Sequence, residues 1–77
     1  MRQLFINDEP TQYFFNEETS LEKLDEWVTT EIYDDNQVFQ FNEAYSCNSS
    51  IIDDETIEIS GDEDYRKLTF KKITPIC

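Results

Sequence analysis

A chain of 77 residues with no histidine, a single glycine and a net charge of −12 has few of the parts that catalysis needs. Ser-His and Cys-His nucleophile pairs, imidazole-held zinc and glycine-rich phosphate cradles are all excluded, and so short a chain lacks the material to wall a sugar-sized cleft around paired carboxylates. One domain, residues 1–77, is the expectation: such a chain buries only about 60% of its unfolded surface and depends on large core side chains, each aromatic covering roughly 150–250 Å².

The apolar runs Leu4-Phe5-Ile6 and Tyr13-Phe14-Phe15 flank the turn formers Asn7-Asp8-Glu9-Pro10, which predicts an N-terminal β-hairpin. Thr19-Ser20-Leu21-Glu22 fits a capping box with Thr19 as the cap, so a helix starts here. At 100° per residue Leu21, Leu24, Trp27, Val28 and Ile32 form an inner arc, while Glu22, Glu26, Thr29 and Thr30 face outward. Four β-branched residues and Asp34-Asp35-Asn36 end the helix near Tyr33.

Val38 to Tyr45 alternates, with Phe39, Phe41 and Tyr45 on one face, and reads as a strand. Asn48-Ser49-Ser50 reads as a turn into a strand over Ile51 to Ile59. Ser60 to Asp64 is a second turn, leading to a final strand from Lys67 to Ile73. The fold class is therefore α+β: an antiparallel sheet of about five strands, in the order ββαβββ, with one helix packed on a face.

Charge is patterned along the chain. Residues 3 to 65 hold all eighteen acids against one base, Lys23, a local charge of −17; Arg66, Lys67, Lys71 and Lys72 follow with no acid among them. No apolar run reaches the roughly 20 residues of a membrane span, and Met1 to Ile6 runs into Asn7-Asp8-Glu9 without a signal-like apolar region, so the chain reads as cytoplasmic. Cys47 and Cys77 lie thirty residues apart with no CxxC, which points to reduced thiols. Neither Asp53-Asp54-Glu55 nor Asp62-Glu63-Asp64 has the alternating spacing of an EF-hand loop, so no metal and no cofactor are expected.

So one-sided a charge strains a small domain through self-repulsion, and a basic partner protein is the natural counterpart. The candidate contact residues are Glu22, Asp25 and Glu26 on the helix, Asp34 and Asp35 after it, Asp53, Asp54, Glu55 and Glu58 along the fourth strand, and Asp62, Glu63 and Asp64 in the following turn. Same-face carboxylates on a strand recur at multiples of about 6.6 Å, on the scale of phosphate spacing along a DNA strand.

In size, charge, lack of catalytic residues and exposed acids such as Glu22, Glu26, Asp53, Asp54, Glu55 and Glu58, the chain resembles the small acidic inhibitors of phages and mobile elements, including DNA-mimicking anti-CRISPR and anti-restriction proteins. That resemblance implies a non-enzymatic inhibitor in a bacterial cytoplasm. It would block the basic DNA-recognition surface of a nuclease or effector complex without itself touching nucleic acid or membrane. Two alternatives share the composition: an immunity protein or antitoxin capping a basic nuclease toxin, and a non-inhibitory adaptor subunit whose basic C-terminal strand adds to a partner's sheet edge.

Overall fold

The computed structural model describes residues 1–34, 37–43 and 46–73. Asn7 and Asp8 both adopt the left-handed conformation, at φ 52° and 69°. Two such residues make the tight turn that matches strand twist. They join Arg2–Ile6 (β1) to Glu9–Phe15 (β2). The hairpin is as the sequence predicts, except that Glu9 and Pro10 belong to the second strand.

The helix, Leu21–Asp34 (α1), is capped by Ser20, one residue later than the sequence suggests. Ser20 Oγ accepts from the Lys23 N–H at 3.3 Å, and the Ser20 carbonyl accepts the first helical bond from Leu24 at 3.1 Å. Thr19 is occupied upstream, its N–H donating to the Asn16 carbonyl at 3.0 Å. Three strands complete the fold: Asn48–Ile51 (β3), Thr56–Ser60 (β4) and Tyr65–Lys72 (β5). All pairings are antiparallel, in the spatial order β2-β1-β5-β4-β3.

Two expectations are corrected. The alternating stretch from Val38 is not a strand over its described part, residues 38–43; Tyr45 lies outside the described residues. Phe39 and Phe41 are nonetheless in the core, each 1% exposed, on either side of Gln40 at φ 55°. Arg66 takes the place of a neighbouring strand: its Nε donates to the Phe39 carbonyl at 3.2 Å, another nitrogen donates to the Gln40 carbonyl at 3.2 Å, and the guanidinium lies 5.3 Å from the Phe41 ring centre. The third strand is instead Asn48–Ile51, where the sequence suggests a turn; its polar residues are held by pairing to β4. Ile51 to Ile59 is accordingly two strands, reversed at Asp53-Asp54-Glu55.

The basic C-terminal strand is the middle of the sheet, paired to β1 on one side and β4 on the other. It is an internal strand, paired to β4 over Tyr65–Thr69 and to β1 over Leu68–Lys72, and not the exposed edge strand that the adaptor alternative expects. Leu4 opposite Phe70 and Ile57 opposite Leu68 face Leu24, Val28 and Ile32 of the helix in one buried cluster. Trp27 packs against Tyr13, Phe15 and Phe39 with ring centres 4.9–5.7 Å apart. Such tilted and edge-on pairs add about 0.5–1.5 kcal/mol each beyond area burial.

Candidate functional site

The acids divide into separate groups because the strands that follow the helix are short. Glu22, at the start of α1, meets Asp53 and Asp54 of the β3–β4 reversal around a cleft of about 490 Å³ that Leu21 and Ile51 also line. Asp53 is ordered by its own turn: Oδ1 accepts from the Glu55 N–H at 2.8 Å. That bond, helped by Thr56, holds its carboxyl below the usual aspartate range. The reversal overturns the strand-spacing argument, since Asp53, Asp54 and Glu55 sit in a bend and do not repeat along a strand face.

At the other end of β4, roughly 17 Å away at about 3.3 Å per residue, Asp62, Glu63 and Asp64 form the β4–β5 turn. Asp64 has a structural task. Its Oδ2 accepts from the Asn42 N–H at 3.2 Å, and its carbonyl accepts from Gly61 at 2.8 Å. Glu43, which the sequence reading passes over, holds the same turn by accepting from the Glu63 N–H at 3.1 Å. A side chain on Gly61 would push the Glu43 carboxylate aside, its Cβ falling 2.7 Å from that oxygen.

Glu58 belongs to neither group. It lies partly buried on the sheet face away from the helix, accepting from the Tyr65 hydroxyl at 2.5 Å, and this pushes the Tyr65 pKa up. Glu55 is also partly buried. Glu26 and Asp34 are exposed on α1, and Asp35 lies outside the described residues. Asp25 is partly buried, and its Oδ1 is enclosed with no hydrogen-bond donor. Of the eleven candidate residues that are described, then, the structure gathers Glu22, Asp53 and Asp54 around one cleft and sets Asp62, Glu63 and Asp64 in a separate turn.

Four of the six bases have partners within the fold, and Lys23 and Lys72 are exposed. Arg2, only 6% exposed, donates to the carbonyls of Glu17, Asp54 and Phe70 at 3.2–3.4 Å and so ties three chain segments together. Lys67 pairs with Asp8 at 3.4 Å, and Lys71 lies 4.9 Å from the Phe5 ring centre. Among the described residues the only other ion pair joins the N-terminal ammonium to Glu17 at 3.4 Å. The carboxylates of Glu22, Glu26, Asp34, Asp53 and Asp54 thus have no cation within pairing distance.

Among the described residues no three acid or cysteine side chains converge to hold a metal ion, and no helix is long and apolar enough to cross a membrane. Burial pushes the Cys47 thiol pKa up. Cys77 lies outside the described residues. Neither the family models nor the curated proteins nor the solved structures include a match to this chain.

Two features of the site escape a sequence reading. Ile51 and Ile52, 43% and 53% exposed, stand beside the acids of the β3–β4 reversal, where a continuous strand would have alternated one of them inward. Arg2, isolated in sequence from the other bases, is buried beneath the same cleft. The pairing Ile51↔Ile57 at the very end of the sheet explains the first, and no local pattern announces it.

Proposed function

We propose that this chain is a non-enzymatic binding protein that sets its carboxylate surface against the cationic nucleic-acid-binding surface of a partner protein and so excludes nucleic acid from it. The observation that carries this reading is the charge balance of the surface: Arg2, Arg66, Lys67 and Lys71 are engaged by backbone carbonyls, rings and one turn aspartate, while the exposed acids Glu22, Glu26, Asp34, Asp53 and Asp54 form no ion pair among the described residues. An internal use for those acids would have drawn Lys72, which lines the same cleft, into an ion pair. An unneutralised acidic surface speeds encounter with a basic partner and releases counterions from it as DNA does. The partner class is a nuclease or a DNA-recognising effector, as for the DNA-mimicking inhibitors that the chain resembles.

The test is capture of partners by the immobilised chain from a bacterial host lysate, followed by elution with duplex DNA at constant salt. Elution of a DNA-binding protein by DNA supports the reading. Captured protein that binds no nucleic acid and stays bound against excess DNA contradicts it.

A further inference from the structure

The two edges of the sheet are treated differently. On β2, Pro10 has no backbone donor, the register to β1 shifts between Gln3 and Phe5, and the Tyr13 N–H is occupied by Thr11 Oγ1 at 3.2 Å. Proline and a bulge blunt an edge against further pairing. On β3, Asn48-Ser49-Ser50-Ile51 runs in unbroken register against Ser60 to Ile57, with no proline, lysine or bulge.

The outward groups of β3 can be assigned. Ile52 donates to the Thr56 carbonyl at 2.9 Å, which makes 52 and 56 a bonded pair. Bonded and non-bonded pairs alternate along an antiparallel ladder. Ser50–Glu58 and Asn48–Ser60 are then the bonded pairs, and the N–H and C=O of Ser49 and Ile51 point away from β4. Among the described residues nothing else bonds to them.

Two clefts lie between this edge and α1, one lined by Thr29, Tyr33 and Ser49, the other by Leu21, Glu22, Ile51, Asp53 and Asp54. The second is the acidic one, with Lys72 and the buried Arg2 also in its lining.

We propose that β3 is the docking edge: an extended, lysine- or arginine-bearing segment of the basic partner pairs with Ser49 and Ile51 as a sixth strand, its cations meeting Glu22, Asp53 and Asp54. The proposal rests on the reading that the partner is basic, and charge complementarity selects that occupant. A second copy of this chain would bring the same carboxylates together.

The probe is an octapeptide of alternating lysine and valine, capped at both ends, compared with the same peptide N-methylated at every residue. Both carry the same charge, and only the first can form a ladder. Binding by the parent peptide at least tenfold tighter is expected, as is reduction of its affinity to the methylated level by Ser49→Pro. Proline at 49 removes an outward N–H and leaves the β4 bonds intact. Slowed amide exchange at Ser49 and Ile51 in the wild-type complex gives the same answer without a variant. Equal binding of the two peptides, or absence of binding, overturns the docking edge, while the DNA-elution experiment decides the basic-partner reading separately. A concentration-dependent dimer abolished by Ser49→Pro would make the occupant a second copy and also overturn it.

Discussion

Arg66 and Phe39, twenty-seven residues apart, are joined by a hydrogen bond from the guanidinium Nε to the phenylalanine carbonyl at 3.2 Å. With the bond to Gln40 and the contact with the Phe41 ring, it fixes a loop that puts two aromatic rings into the core. Hydrogen bonds to charged groups contribute about 1.5–3 kcal/mol. Arg66→Ala should therefore lower unfolding free energy by about 2–3 kcal/mol in urea titrations followed by Trp27 fluorescence. Arg66→Lys should recover less than half of that, because an ammonium lacks the planar fork. Full recovery by lysine would reduce the role to charge alone.

Arg2 is the more deeply buried cation, and its acceptors are backbone carbonyls of Glu17, Asp54 and Phe70. Arg2→Met keeps the stem and removes the donors, so a loss of about 2–3 kcal/mol is expected from the stranded carbonyls. Amide exchange should speed up at residues 53–55, which the guanidinium tethers to the sheet. A neutral effect would mean that water replaces it without cost.

The helix cap gives a sharper discrimination. Ser20→Ala should cost about 1 kcal/mol, and Thr19→Ala less than about 0.5 kcal/mol, by the usual worth of a capping oxygen. The reverse order in thermal unfolding would restore the Thr19 capping box.

Asp53 and Tyr65 set opposite ends of the pH profile. The Asp53 pKa is lowered in the fold by the Glu55 N–H, so its contribution is present above the unfolded aspartate value of about 3.9 and is lost as pH falls through the lower folded value. The Tyr65 pKa is raised by its bond to Glu58, so its contribution is present below the unfolded tyrosine value of about 10 and is lost as pH rises through the higher folded value. The melting-temperature gap between wild type and Asp53→Ala should close only in acid, and that between wild type and Tyr65→Phe only in alkali. Gaps independent of pH would contradict both assignments.

What could be read from the sequence follows from how local each signal is. The hairpin is legible because Asn7 and Asp8 carry the turn chemistry themselves, and the helix because its apolar arc recurs over three turns. Phe39 and Phe41 mislead: two residues apart, they are buried together whether a strand or an arginine-held loop presents them, and the arginine lies far along the chain. Asn48-Ser49-Ser50 reads as a turn because its strand conformation comes from β4. The acids are visible one by one, but their grouping depends on where β3 reverses. Asp53 fixes that point by spending its carboxylate on the Glu55 N–H.

The most direct measurement is competition at the partner. Labelled duplex DNA bound to the captured protein is titrated with the chain while fluorescence anisotropy is followed, in parallel with the Glu22→Lys, Glu26→Lys, Asp54→Lys triple variant. Complete release of DNA by the wild type is expected, with a midpoint that rises with DNA concentration, and at least a hundredfold weaker release by the variant while its fold is retained. A ternary complex in which DNA stays bound, or equal release by the folded variant, would contradict it.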